Sequence, residues 1–531
     1  MAPRPGFVLE VDGSTPPILF HHGEGFRLEK LPVGRSRVIY PAEPLPGLKD
    51  PDTAIRHALE HPYDSEPLSA LLFPGMKLTI AFDDISLPLP PMRRPDIRQR
   101  VIEAVLDSAA AAGVDDVEII AALALHRRMT EAELRHAVGD RVYDAFAPTG
   151  KLYNHDAEDP EGMVILGTTP HGEDVQMNRR AAESDLLVYV NINLVSMDGG
   201  WKSTATGLSG YTALRHNHNV KTMQASKSFM DQHRSELHSS NWRMGKVLRQ
   251  SGPKIFQIET TVNNNSFGTS GPLSVLQKRE WEWSAKDRAT FLGMQAGLKR
   301  MPASARRKMF SSWQAPYEMT SIQAGDVESV HKVTTEHVYR QHLVPVEGQT
   351  DILTMGLPYI CPYNVNSIMN PILVMCLGLG YFFNLYRGRP LVREGGVLIM
   401  SHPTPWEFHP VHHPSYIDFF EQVLSETTDP LVIEQKYEKS FAEDEWYRHL
   451  YRTSYAYHGV HPFYMWYWGS HAMAHLGRVI IVGGDPRAVR RLGFMPASTF
   501  ADALEMASDV VGRHPTITHY HNPPVLMADV T

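Results

Sequence analysis

Between residues 198 and 219 the chain gathers side chains that could do chemistry: Asp198-Gly199-Gly200-Trp201-Lys202-Ser203-Thr204, then Gly207-Leu208-Ser209-Gly210, then His216-Asn217-His218-Asn219. A lysine among glycines can hold a phosphate or act as a nucleophile, and a histidine can move a proton or bind a metal. A P-loop places glycine directly before the lysine; Trp201 stands there, which argues against an ordinary nucleotide triphosphatase. For this stretch alone, an exposed turn with a solvated lysine is the plain alternative.

The surrounding elements decide where this loop sits. The apolar, β-branched run 186–192 predicts a buried strand of a parallel sheet, and its carboxyl end leads into the glycines, the place where open α/β sheets take ligands. Residues 77–82 predict another buried strand ending in Asp83-Asp84, a pair that could equally cap the next segment, and 117–123 predict a third ending at His126. Between them Ile97, Val101, Val105 and Ala109, widened by Ile102 and Leu106, predict an amphipathic crossover helix. Thr130-Glu131-Ala132-Glu133 carries a capping-box pattern. The βαβα alternation calls for a doubly wound parallel sheet with Asp84, His126 and Lys202 on one rim. A second α/β unit follows, with a helix over 326–341, strands over 351–355, 395–400 and 478–482, and a helix over 498–512. Between the two, 263–322 reads as an insertion carrying Trp281, Trp283, Trp313 and the basic run Arg306-Arg307-Lys308: a lid, a subunit contact or a surface helix pair.

With 51 basic and 59 acidic residues the chain offers no basic face for nucleic acid. Its two cysteines, Cys361 and Cys376, lie in apolar surroundings, which excludes a disulfide framework and favours a reducing compartment. The amino-terminal residues carry no signal-peptide pattern, and the longest apolar run, 371–383, is too short to span a bilayer. The expectation is a soluble cytoplasmic protein acting on a small molecule, with no nucleic-acid or membrane partner and with a homo-oligomer left open. The 27 histidines cluster at 216–218, 402–413 and 514–521, a pattern suited to metal or proton chemistry.

The Gly199-Gly200-Trp201-Lys202-Ser203 run, Gly207-Leu208-Ser209-Gly210 and Asn217-His218 resemble the lactate racemase family, enzymes built on a nickel-pincer nucleotide. The resemblance extends in order through Asp83-Asp84-Ile85-Ser86, Leu125-His126-Arg127, Asn154-His155-Asp156, Leu166-Gly167-Thr168-Thr169, residues 241–262 and Ala324-Gly325-Asp326. It implies that Lys202 carries the cofactor, that His218 completes nickel coordination, and that Gly199, Gly200 and Ser203 contact the cofactor phosphate. It implies His126 as an acid/base and Asp84 as the group orienting the substrate or a neighbouring catalytic residue. The expected fold class is α/β with two domains, each a mainly parallel, Rossmann-like sheet flanked by helices, and with the active site in the interdomain cleft. Residues 1–262 would bind the cofactor, 263–322 would be inserted, and 323–531 would close over the site.

This sequence also departs from the family. The loop that carries the family's second catalytic histidine is shorter here, Asn191-Ile192-Asn193-Leu194-Val195-Ser196-Met197, and holds no base; Asn193 can orient a hydroxyl but cannot take its proton. Leu87 stands where the family grips the substrate carboxylate with an arginine, and 365–369 lacks the glutamine and lysine that complete that grip. The substrate is therefore expected not to be lactate. Replacement groups are expected in 401–413, which offers four histidines, Glu407 and Trp406, with His402, nearest the strand end, as the second catalytic residue. Trp406 and Trp466 are expected at the substrate, with Trp468 an open alternative for the latter. Zinc binding by these histidines is the competing reading, against which the interrupting prolines count. The expected function is a racemase or epimerase acting on a 2-hydroxy acid or related hydroxylated compound by transient hydride transfer. A net redox enzyme on the same cofactor and a non-catalytic cofactor-binding protein are the alternatives.

Overall fold

The computed structural model describes residues 3–86 and 90–531. Its first sheet has six strands in the order Met319–Gly325, Lys254–Val262, Leu186–Asn193, Lys77–Asp83, Asp116–Ala122 and Leu152–Asn154. All run parallel except Met319–Gly325, which is antiparallel to its neighbour. Leu186–Asn193 is buried along its whole length, as a strand covered on both faces must be. Chain order proceeds outward in both directions from the adjacent strands Lys77–Asp83 and Leu186–Asn193. The topological switch point therefore lies between them, and their carboxyl ends face the crevice that such sheets use for ligands. The crossover helix Ile97–Ala111 is N-capped by Asp96 and buries Ile97, Val101, Ile102, Val105 and Ala109, while Thr130 and Glu133 close their capping box.

The second sheet runs Phe7–Glu10, Ser36–Tyr40, Ile517–Tyr520, Thr350–Pro358, Val392–Ser401, Arg478–Val482 and Met495–Ala497, mainly parallel, with Ile18–Gly23 added beside Thr350–Pro358. The two mainly parallel, helix-flanked sheets are the α/β class expected. The membership of residues 7–40 differs from expectation: Ser36–Tyr40 pairs with Ile517–Tyr520, so the amino-terminal arm belongs to the second sheet. Phe20, Val38 and Tyr40 share one apolar cluster with Ile352, Ile399 and Ile517. Local periodicity announces such strands but not their partners, because pairing is a long-range choice.

Within 263–322, the helices Ala285–Arg300 and Ala303–Ser311 bury Phe291, Leu298 and Phe310. These pack with Leu19 and Phe26 of the arm and with Tyr359 and Val365 of the second half. Cys361 and Cys376 are buried free thiols. No helix among the described residues is long and apolar enough to cross a membrane.

Candidate functional site

At the switch point the loops after three adjacent strands enclose a cavity of about 110 Å³, lined among others by Asp84, His126, Asn191, Asp198, Lys202 and Ser203. Asp84 and His126 form a pair: Asp84 Oδ2 lies 2.9 Å from His126 Nδ1. The carboxylate can only accept, so Nδ1 carries the proton and Nε2 keeps its lone pair toward the cavity as a base. Ser86 Oγ also donates to Asp84 Oδ2, at 3.1 Å.

Several buried groups hold this rim. Asp83 accepts from Asn191 Nδ2 at 2.6 Å and from the Ile192 amide at 2.8 Å, stitching the two central strands, and burial pushes its carboxyl up to about 7. Arg98, paired with buried Asp96, donates to the carbonyls of Asp83 at 2.8 Å and Asp84 at 2.6 Å. Ala124, two residues before His126, sits at φ 52°, a strained backbone of the kind that collects at functional sites. The second half fastens this turn, since Tyr451 Oη donates to the Ala124 carbonyl at 2.9 Å and the His458 amide to that of Leu125 at 3.2 Å. Arg127, next to His126, is ion-paired with Glu133 and donates to the Val365 carbonyl at 3.0 Å.

Lys202 lies in the first turn of the helix Trp201–Gly207 with Nζ 3.8 Å from Asp198 Oδ1. Asp198 also accepts from the Leu194 and Val195 amides and so shapes the short loop, and burial raises its carboxyl above the usual range. Gly199 and Gly200 have φ of 82° and 59°. A Cβ on Gly199 would come within 2.5 Å of Asn193 Nδ2 and Glu259 Oε1, so only glycine fits this turn. His218 is buried, with Nδ1 2.5 Å from Asn217 Oδ1. Asn217 in turn donates to Asn241 Oδ1, which orients its amide, so His218 carries its proton on Nδ1 and leaves Nε2 free. Burial, followed by the charges of Lys202 and His126, pushes His218 down to about 3, so it is a neutral imidazole within electrostatic reach of both. Ser203 Oγ and Asn191 Oδ1, both buried, meet no hydrogen-bond partner among the described residues.

Other expected groups lie elsewhere. Gly200 gives its amide to Glu259 Oε1 at 2.6 Å and cannot offer it to a phosphate. Asn193 Nδ2 is spent on the Asp198 carbonyl at 2.7 Å, because the shortened loop needs that brace. His402 does not reach His126: its Nδ1 accepts from the Thr404 amide at 2.9 Å, and it packs against Gly23 and His22 of the arm. Trp406 lies under Arg487 and Arg491 and against Phe420. Trp466 is turned into the core with Nε1 donating to the Thr428 carbonyl; Trp468 is the tryptophan beside His218, at 6.0 Å between centroids. Leu87 lies outside the described residues. Among the described residues no group of three or more His, Cys, Asp or Glu is disposed to hold a metal ion, which removes the support for a zinc site in 401–413.

The sequence reading missed the aromatic wall beside His126: Tyr363 at 5.2 Å, His461 at 5.3 Å and Tyr457 at 6.3 Å between ring centroids. His461 and Tyr457 come from a run of histidines and aromatics at 457–468 that reads as core. Arg98 was missed as well; its only local signal was the Asp96 two residues earlier.

A sequence profile described as the lactate racemase N-terminal domain matches residues 23–231. The chain is 25% identical over 178 residues to a lactate racemase of Lactiplantibacillus plantarum, spanning 33% of this chain and 40% of that one. It is 24% identical over 211 residues to a lactate racemase of Thermoanaerobacterium thermosaccharolyticum, spanning 36% of this chain and 46% of that one. The matched stretch thus covers less than half the length of either relative. The fold is shared more widely: the lactate racemase apoprotein structure from Thermoanaerobacterium thermosaccharolyticum superposes with a TM-score of 0.63 and 17% identity, covering 96% of this chain and 99% of that one. The profile match contains Asp84, His126, Lys202 and His218 and ends well before His461.

Proposed function

We propose that the chain, as a divergent member of the lactate racemase family, is a racemase or epimerase of a hydroxylated substrate other than lactate, using a nickel-pincer nucleotide held by Lys202 and His218. The observation that carries this reading is the joint lining of one cavity by Lys202 and the Asp84–His126 pair, with the neutral His218 within electrostatic reach of both. The donor set suits such a group: an amine for attachment, an imidazole with a free Nε2 for nickel, and a buried Ser203 hydroxyl left without a partner. When bound, the cofactor would supply the acceptor and donor of the substrate's α-hydrogen.

The chain's own residues do the rest. His126 Nε2 takes the hydroxyl proton and later returns it, while Asp84 fixes the tautomer. Asp198 holds the Lys202 side chain against the glycine turn. The rings of Tyr363 and Tyr457 pack beside His126 and limit where its imidazole can turn. The absence of an arginine at position 87 and of a lysine in 365–369, together with this aromatic wall, favours a substrate bulkier than lactate or differently charged.

The test has two parts. Protein coexpressed with the cofactor-building enzymes is analysed by mass spectrometry for an adduct on Lys202, and the nickel-loaded enzyme is screened for stereoinversion of hydroxy acids and sugar acids. An adduct with inversion, both lost in Lys202→Ala, is the expected result; full activity in that variant would overturn the reading.

A further inference from the structure

A racemase must serve both configurations of its substrate, and the short loop 191–197 carries no base. We infer that His461 is the second acid/base of this site, acting with His126 on the two configurations of the substrate hydroxyl; this rests on the racemase reading above. His461 opens the wholly buried helix His461–Trp468 and is itself 2% exposed. Its Nδ1 lies 2.6 Å from the Tyr416 hydroxyl, whereas its buried Nε2 has no hydrogen-bond partner among the described residues. A buried nitrogen left in that state is destabilising, and a ligand hydroxyl would relieve it.

His461 packs among aromatic rings that adjoin His126, which itself lines the rim cavity. The His461 ring stands 5.3 Å from His126 at 80°, 4.9 Å from Tyr363 and 4.5 Å from Tyr457. Burial first, then the imidazoles of His126, His413, His458 and His218, keep the ring neutral at rest. The Tyr416 hydroxyl can donate to Nδ1 or accept from it, so the neutral ring can present Nε2 either with or without a proton. In one direction the hydroxyl proton of one enantiomer passes to His126 Nε2, and that of the other passes to His461 Nε2. When bound, the nickel-pincer nucleotide would supply the acceptor and then the donor of the α-hydrogen with its electron pair, so a carbonyl compound would stand between the two transfers and no outside oxidant would be consumed. His413 also has a buried nitrogen without a partner among the described residues, Nδ1, but its ring stacks on Tyr457 at 5.4 Å with Nε2 on the Tyr363 carbonyl, and the imidazole that packs against His126 is that of His461.

Single-turnover experiments on nickel-loaded enzyme, using 2-hydroxy acids and aldonic acids one enantiomer at a time and trapping bound carbonyl product with hydroxylamine, separate the two bases. His126→Asn should lower carbonyl formation from one enantiomer by about 10²-fold or more, and His461→Asn that from the other, with the Lys202 adduct retained by mass spectrometry. Tyr416→Phe, a milder change, should slow the same enantiomer as His461→Asn. An independent readout uses the cofactor-free protein: titrating in the corresponding 2-keto acid should shift the ring resonances of His126 and His461 together. His461→Asn turning over both enantiomers as fast as the unaltered enzyme, or a keto acid that moves His126 alone, overturns the inference. Absence of both adduct and inversion in the unaltered enzyme overturns the racemase reading instead.

Discussion

The rim of the first sheet and the histidine-rich stretch 401–413 look alike on paper, since each places polar residues just past a buried strand. Their surroundings differ. On the rim, loops from three neighbouring strands end in polar groups aimed at one space, and Asp84, His126 and Lys202 share a cavity there. After Val392–Ser401 the polar groups turn on one another or on the surface: His402 accepts from its own loop, Glu407 pairs with Arg307, and the rings of His409 and His412 stack at 3.9 Å. A strand end becomes a site when adjacent strands contribute to the same volume, and a local density of histidines does not substitute for that convergence.

The sharpest way to break this comparison is to remove the rim's acid/base: His126→Asn should lower stereoinversion by about 10²–10⁴-fold, measured on nickel-loaded enzyme, while the Lys202 adduct survives. In the other region His402→Ala should leave stereoinversion unchanged and appear only as lost stability, about 1–3 kcal/mol by urea unfolding, because the buried Thr404 amide loses its acceptor. An equal loss of activity from His402→Ala would erase the distinction between the regions. Gly199→Ala should cost about 1–3 kcal/mol, since its φ of 82° is unfavourable to alanine and the new Cβ would meet Asn193 and Glu259, and it should weaken adduct formation with it.

The smallest difference concerns pH, where the two regions should behave alike. His218 and His412 are pushed down to about 3, and His155 and His342 to about 4, each mainly by burial. Between those values and 6.5 the unfolded chain binds more protons at these rings than the folded one. Their contribution to stability is therefore complete above pH 6.5 and is lost as pH falls toward 4. Asp83 and Glu438, raised to about 7 by burial, act in the opposite sense over part of that range but are outnumbered. Melting temperature should accordingly fall between pH 7 and pH 5; a flat or rising profile would show that these imidazoles are not held neutral.

Most of the first sheet was legible. Its strands are short apolar runs, its crossover helix shows an unbroken apolar stripe, and the Thr130–Glu133 cap is a local hydrogen-bond pattern, so each is specified by near neighbours in sequence. The rim residues were legible for the same reason, as Asp84 and His126 follow their strands by one and four positions and Lys202 by nine, across a glycine turn. The arm 7–40 was misplaced because the pairing of Ser36–Tyr40 with Ile517–Tyr520 joins positions at opposite ends of the chain. The Gly200 amide was assigned to a phosphate because a glycine-rich turn signals close backbone approach without saying which way each N–H points; buried Glu259 on the adjacent strand takes it.

By itself the sequence determined the α/β class, the order of the first sheet's elements and the identity of Lys202, His126 and Asp84 as rim residues, because hydrophobic periodicity and strand-end position are local properties. Tertiary structure alone decided which distant side chains meet them. His461 packs against His126 while His402 does not, and this depends on how the buried helix His461–Trp468 is seated among its neighbouring helices, a matter of long-range shape complementarity that no window of the chain encodes.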